Sequence, residues 1–311
     1  MPDSDNEAVL DVAIVGGGPA GLTAATYLCR FHRSCVVFDD GDSRARWIPE
    51  SNNCPGFPNG VSGVELLRRM RQQASEFDAR FELVRVQSIE RDGDVFVLIA
   101  GTQRWRARSV ILATGLSDTL PEHAWVEDAV ASQALRLCAI CDAYEASDTR
   151  IGVHGLLKDI ASHATFLRTY SSQVWLLPLD HEHDDAHPAL RTALAAGVQI
   201  LPAGGTLGFD GERCTWSSSE GTVAFDSVYP YLGCHTSAGL AAAMGAQLSD
   251  TDELVVDRHQ ATNVPGLYAI GDVVSGLNQI SVAVGQAALA ATDLHNKLPF
   301  APRRHDAKRT Q

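Results

Sequence analysis

Val9–Gly21 reads VLDVAIVGGGPAG, and the fold turns on it. Val9–Val15 is a near-continuous apolar run, the pattern of a strand buried on both faces of a sheet. It runs straight into Gly16-Gly17-Gly18-Pro19-Ala20-Gly21, a G-x-G-x-x-G. Leu22–Arg30 then reads as a helix, and Ser34–Phe38 (SCVVF) as a second buried strand ending at Asp39. Strand, glycine loop, helix, strand and acid follow one another at the spacing of a dinucleotide-binding βαβ unit. Gly16 allows the tight turn, Gly18 lets the backbone approach a pyrophosphate, and Gly21 lets the helix pack close to the sheet. The helix N-terminus offers free N–H groups to phosphate. Asp39 can accept hydrogen bonds from ribose hydroxyls. A glycine-rich turn in an unrelated α/β protein would explain the glycines, but not the placed acid.

Outward from this unit, Asp40–Ser62 is loop-like, rich in Gly, Pro, Asn and Ser. Val64–Phe77 has helical apolar spacing. Phe81–Glu90 and Asp94–Gly101 alternate as the strands of a meander, and Arg108–Gly115 (RSVILATG) is another buried strand. A second βαβ follows: Ile151–His154, a helix over Lys158–Tyr170, and Val174–Leu177. Ala189–Ala196 is helical, Gln199–Pro202 extended, Thr206–Asp226 hairpins, and Ser227–Leu232 a closing strand. Near Leu248 the pattern returns to the first domain, with a strand at Leu254–Asp257, the run TNVPGLYAIGD at Thr262–Asp272, and a long helix over Asn278–Asn296. The expected class is α/β, with two Rossmann-like three-layer domains. Residues 119–247 are inserted into a first domain made of 1–118 and 248–311.

The chain of 311 residues is long enough for two cores. A net charge of −13 argues against a nucleic-acid surface, which needs a basic footprint. No run approaches the ~20 apolar residues of a membrane span. The start, MPDSDNEAVLDV, has neither a basic region nor an apolar core of signal type, so a cytoplasmic protein is expected. The basic tail RRHDAKR reads as a solvated end.

There are seven cysteines, an odd number that makes a disulfide framework improbable in a reducing compartment. Cys29 and Cys35, in apolar company, read as buried small hydrophobes. Cys138 and Cys141 stand apart: LRLCAICDAYE (Leu135–Glu145) is a C-x-x-C followed at once by Asp142. That spacing puts both sulfurs on one turn, where they can join and part with little backbone motion. Half of a zinc site is the alternative, but Cys214 and Cys234 are not closely spaced and no C-x-x-H follows. The histidines of His181–His187 (HEHDDAH) cluster, and a solvated charged loop accounts for them.

GGGPAG, NCPGFPNGVSG, ILATG, CAICD, PGLYAIGD and QISVAVGQAALAA occur in one order across nearly the whole chain. Together they resemble the low-molecular-weight thioredoxin reductases. The resemblance implies FAD in the first domain, held by Gly16, Gly18, Pro19, Ala20, Gly21 and Asp39. It also implies contacts from Ala113-Thr114-Gly115 and Gly271, with Asp272 at the ribityl and pyrophosphate region. Gln279, Ile280 and Ser281 would begin a helix whose N-terminus faces the flavin pyrimidine and favours negative charge there. It implies, further, that Cys141 lies against the flavin, Cys138 exchanges with the partner disulfide, and Asp142 is the general acid/base. A homodimer and a domain rotation come with the same resemblance.

One part of the pattern fails. The second domain should carry another G-x-G-x-x-[GA] and a basic cluster for the 2′-phosphate of NADPH. Its turn reads His154-Gly155-Leu156-Leu157-Lys158-Asp159-Ile160. Leu157 stands where the second glycine belongs, and its side chain is expected to fill the pyrophosphate space. Asp159 adds negative charge near the helix start. Pro178–Asp185 (PLDHEHDD) is acidic where the basic cluster belongs, and would repel a phosphate. NADPH is therefore not expected as the efficient reductant. The chain then resembles related branches that lack the NADPH motifs and that use ferredoxin, a second flavin beside the first, or oxygen as redox partner. The substrate is a protein or small-molecule disulfide or dithiol. Three alternatives stand beside this reading: a small-molecule dithiol oxidase passing electrons to oxygen, an NADPH-dependent thioredoxin reductase with an unusual site, and a non-catalytic flavin redox sensor. Trp47, Trp125 or the tail could stack on a flavin, though ordinary packing accounts for each.

Overall fold

The computed structural model describes residues 9–180, 187–274 and 276–302. Residues 1–8, most of the histidine cluster and the basic tail lie outside these.

Strand β1 (Leu10–Val15) is buried along its length because both faces are covered. Val12 and Ile14 face one apolar layer, and Ala13 and Val15 the other. Helix α1 (Pro19–Arg30) follows, with Pro19 at its first position, where its missing N–H costs nothing. The helix therefore starts inside the glycine motif, three residues before the start expected from apolar spacing. Strand β2 (Cys35–Phe38) pairs parallel with β1. The loop beyond it holds a 3-10 turn at Arg44–Trp47 before helix α2 (Gly63–Ser75), which Ser62 caps through the Glu65 N–H.

The next stretch corrects the expected meander. Phe81–Glu90 is not one strand. Strand β3 (Arg80–Glu82) adds parallel to β2, and the chain then leaves the sheet with Leu83 exposed. Strand β4 (Ser88–Asp92) starts afresh, antiparallel to β5 (Val95–Ala100), which pairs with β6 (Gln103–Leu112). The far half of β6 pairs parallel with β1.

The chain then crosses to a second unit through β7 (Leu116–Asp118), α3 (Val126–Ala131) and the four-residue α4 (Ala139–Asp142). Strand β8 (Arg150–Gly155), α5 (Leu157–Leu167) and β9 (Gln173–Pro178) form the second βαβ. Helix α6 (Pro188–Ala195) leads to β10 (Gln199–Ile200). Strands β11 (Thr206–Phe209), β12 (Cys214–Ser218) and β13 (Gly221–Phe225) make an antiparallel sheet. Strand β14 (Ser227–Tyr231) completes a parallel sheet of order β10-β9-β8-β14. One face of that sheet packs on α5 and α6. The other packs Trp175, Leu177 and Val228 against Trp216 and Phe225 of the antiparallel sheet, which gives three layers.

Strand β15 (Cys234–Thr236) returns antiparallel to β7, so the outgoing and returning chains lie side by side. Helix α7 (Gly239–Ala243) and β16 (Leu267–Ala269) follow, and β16 pairs parallel with the far half of β6. The strand expected at Leu254–Asp257 does not form. Leu254 alone bridges to Leu248 and Val274. Helix α8 (Ile280–Lys297) lies along α1, and its Ala283, Ala287, Ala290 and Ala291 let the two helices approach closely. Among the described residues no helix is long and apolar enough to cross a membrane.

Candidate active site

The principal cavity opens beyond the carboxyl ends of β1, β2 and β6, the place where open α/β sheets bind ligands. Gly16, Asp39 and Ala113 each stand one residue past a strand end, so the sheet itself sets their positions. Gly18, Pro19, Ala20, Thr114, Gly115, Gly271, Asp272, Gln279 and Ile280 also line it, as do Cys138, Cys141 and Asp142 at the far end. Gly21 and Ser281 do not. Gly21 packs on the turn instead, where an added Cβ would sit 1.9 Å from the Gly16 carbonyl oxygen. Ser281 is exposed on α8.

The glycines divide by purpose. At Gly16, with φ of 110°, a Cβ would lie 2.1 Å from the Ala113 carbonyl oxygen, and at Gly17 one would lie 2.2 Å from an Asp39 carboxylate oxygen. The fold forbids side chains at both. At Gly18, the cap residue of α1, an added Cβ would meet only Ser43 Oγ, at 3.2 Å. Packing makes little demand for glycine there, so the open approach to the helix N-terminus is left for a ligand. Asp39 is held by the Gly41 N–H, which donates to Oδ1, and by Arg71 at 3.3 Å from Oδ2.

Sequence reasoning missed Arg44. Its guanidinium reaches into the cavity and bonds Asp118 at 2.6 Å and Asp272 at 3.2 Å. Burial raises the Asp272 carboxyl above the usual range, with Arg44 opposing. The signal available was SRAR, whose two arginines are the only cations of the loop Asp40–Ser62. The residues fit FAD: a glycine-opened helix N-terminus and a guanidinium for the diphosphate, and the Asp39 carboxylate for the ribose. Trp47 lines the same cavity but also packs on the second unit, and Trp125 stacks on His123 away from it.

Cys138 and Cys141 are joined as a disulfide. Cys138 caps α4, and the Cys141 N–H donates to its carbonyl at 3.0 Å. Gln279, the cap residue of α8, places Nε2 3.5 Å from the Cys138 sulfur and 3.3 Å from that of Cys141. The sulfur pair therefore faces the α8 N-terminus across the cavity.

Asp142 sits behind the disulfide, mostly buried. The Tyr229 hydroxyl donates to its Oδ1 at 2.9 Å, and Arg136 lies 3.3 Å from Oδ2. Arg136 is itself buried and donates to Ser227 Oγ at 2.9 Å. Burial raises the Asp142 carboxyl above the usual range, against the opposing pull of Arg136 and Tyr229. A carboxyl of raised pKa beside a disulfide is suited to moving protons to and from sulfur. Arg136 and Tyr229 were not singled out from the sequence. A charge between Leu135 and Leu137 was the available signal, while Tyr229 is brought in by the parallel pairing of β14 with β8.

The turn of the second βαβ corrects one expectation. Leu157 does not fill the pyrophosphate space. It is buried in the core with Ile160 and Val153. One residue separates β8 from α5, against three between β1 and α1, so Leu156 is the cap residue of α5 and projects outward, 40% exposed. The Asp180 carboxylate, from beyond β9, accepts the Leu157 N–H at 3.2 Å. Asp159 is exposed in the first turn.

Two Rossmann-type units and a disulfide facing a dinucleotide cavity define a redox-disulfide flavoprotein. The profile of the pyridine nucleotide-disulphide oxidoreductases matches residues 10–287, and the chain belongs to that family. It is a flavin disulfide oxidoreductase of thioredoxin-reductase type. The thioredoxin reductase of Mycolicibacterium smegmatis is 29% identical over 305 residues, covering 93% of this chain and 97% of that one. The crystal structure of HlmI superposes with a TM-score of 0.86 at 28% identity, over 94% of this chain and 93% of that one. The thioredoxin reductase of Streptococcus pyogenes MGAS5005 superposes with a TM-score of 0.84 at 25% identity, over 94% and 98%.

Proposed function

We propose that this chain is an FAD-dependent dithiol/disulfide oxidoreductase that does not use NADPH efficiently and exchanges electrons with a different partner, such as oxygen or ferredoxin. The observation that carries this is the α5 N-terminus. Asp180 takes an N–H that a diphosphate would need, and Leu156 stands where a glycine would open the approach. A carboxylate in that place also repels a phosphate.

FAD, when bound, supplies a two-electron acceptor or donor beside the sulfur pair. Gly18, Arg44 and Asp39 would hold its diphosphate and ribose, and Gln279 with Ile280 its ring end. In the oxidative direction a substrate thiolate attacks the Cys138 sulfur, and the Cys138–Cys141 bond breaks with Cys141 leaving. The second substrate thiol displaces Cys138, releasing the substrate disulfide and leaving the enzyme dithiol. Asp142 takes the proton from the attacking thiol, and Tyr229 and Arg136 fix its direction. The same steps in reverse reduce a disulfide. The reading includes a cytoplasmic homodimer and a division into 1–118 with 248–311, and 119–247.

Oxygen uptake driven by dithiothreitol, set against NADPH oxidation with a protein disulfide, tests the proposal. Dithiol-driven uptake with negligible NADPH turnover is expected, and Cys141→Ser should abolish the uptake while FAD stays bound. NADPH turnover at rates typical of a reductase would overturn the reading. A disulfide that titrates with no turnover for any donor and acceptor pair would favour the redox sensor.

A further inference from the structure

Cys29 and Cys35 take no part in the site described above. Cys29 lies in the last turn of α1 and Cys35 opens β2. Cys29 is thus about 16 Å along α1 from the Gly18 end that faces the cavity. Their sulfurs are 3.2 Å apart, and both residues are buried, Cys29 at the margin with 9% exposure.

The chain holds them there firmly. Five residues join them, and His32 takes a left-handed conformation with φ of 58° to make the turn. The Arg33 N–H closes back on the Leu28 carbonyl at 3.0 Å. The Arg33 guanidinium then ties the turn to the end of α8, donating to His295 Nδ1, the His295 carbonyl and the Pro299 carbonyl. Ser34 is pinned from the other side by Asp11. With helix, strand and turn all anchored, the two sulfurs meet whether or not they are bonded.

We propose that Cys29 and Cys35 form a second redox pair, distinct from Cys138 and Cys141, that peroxide oxidises to a disulfide. A bond of roughly 2.0 Å needs the sulfurs to close by little more than 1 Å, which small side-chain rotations supply. Cys29, at the margin of the core while Cys35 is deeper, carries the sulfur that peroxide reaches first. The hydrogen bond between the two thiols draws Cys29 below its ordinary range and, with burial, pushes Cys35 up. The Cys29 sulfur attacks one peroxide oxygen and the O–O bond breaks, giving a Cys29 sulfenic acid and one water. The Cys35 sulfur then attacks the Cys29 sulfur, the S–O bond breaks, and the hydroxyl leaves with the Cys35 proton as a second water. Two thiols and one hydrogen peroxide thus become one disulfide and two waters, and the electron pair passes from sulfur to oxygen. The product staples the elements that carry Gly18 and Asp39.

Peptide mapping decides the matter, because trypsin separates the two sulfurs. Cleavage after Arg30 and Arg33 leaves Cys29 in peptide 1–30 and Cys35 in peptide 34–44, whereas Cys138 and Cys141 share peptide 137–150. The folded, FAD-loaded protein is reduced, freed of reductant and exposed to a small excess of hydrogen peroxide. It is then denatured in alkylating agent without reductant and digested. The expected product is peptide 1–30 joined to peptide 34–44, two hydrogens lighter than the sum, formed at least tenfold faster than in urea-unfolded protein. Cys35→Ser should give no joined peptide and a trappable sulfenic acid on Cys29. Full alkylation of Cys29 and Cys35 in the wild type, under conditions that oxidise Cys138 and Cys141, would overturn the proposal. So would joining no faster in the folded protein than in the unfolded one. The assay adds the oxidant directly, so its outcome does not depend on whether flavin turnover makes peroxide.

Discussion

Replacing Asp142 with Asn removes one ionisable group and little else. The side chain keeps its shape, and Oδ1 can still accept from Tyr229 at the distance of 2.9 Å seen now. The amide nitrogen then faces Arg136, donor against donor, in place of the ion pair at 3.3 Å. What is lost is proton transfer beside the sulfurs. Positioned general acid–base groups contribute roughly 10²–10⁴-fold, and the low end applies where a hydrogen-bonded carboxyl sits partly open to the cavity. We therefore expect about a 100-fold slower dithiol reduction of the flavin, or about 2.7 kcal/mol of barrier. The pH profile carries the sharper signature. Burial raises the Asp142 pKa above 3.8, so the base form appears only at higher pH, and the wild-type rate should rise through that value. Asp142→Asn should lack this limb. The linked stability has a definite sign. A carboxyl whose folded pKa exceeds its unfolded one contributes stability that is whole below 3.8 and lost as pH rises through the folded value. Asp142→Asn should escape that loss. Anaerobic stopped-flow across pH, with chemical denaturation on the same samples, reads both. A variant within threefold of wild type, with the acid limb intact, would refute the role.

Arg136→Met leaves the buried Asp142 carboxyl without its cation and should cost about 3 kcal/mol in urea unfolding. It should also move the acid limb to higher pH, since Arg136 opposes the raised pKa. Gly18→Ala should fold with wild-type stability, because its Cβ meets only Ser43 Oγ, yet bind FAD at least tenfold more weakly by fluorescence titration. Gly16→Ala should instead fail to fold, because the Ala113 carbonyl blocks it.

The first βαβ was legible because its evidence is local. Buried parallel strands are apolar without alternation, and the tight turn at Gly16 admits only glycine. Phe81–Glu90 misread for the opposite reason: its alternation looks continuous, while its first residues pair with β2, some forty positions earlier. No local pattern announces that partner. Leu254–Asp257 has strand composition but finds only isolated bridges. In the site, the dithiol and its acid are adjacent in sequence and could be read together. Arg136 and Tyr229 meet Asp142 only because residues 134–136 run beside β14, with Leu135 bridging to Val228. In the second βαβ the sequence pointed to the wrong leucine: Leu156 projects outward and Leu157 is in the core, while Asp180 of the acidic segment accepts the Leu157 N–H at the helix start.

The account rests on electrons passing between the Cys138–Cys141 pair and bound flavin without NADPH. Anaerobic bleaching of the flavin absorbance, with dithiothreitol and NADPH added to parallel samples, tests it most directly. Prompt bleaching by dithiothreitol and negligible bleaching by NADPH is the predicted result. Prompt bleaching by NADPH would show that Asp180 and Leu156 do not close the second site, and would contradict the account.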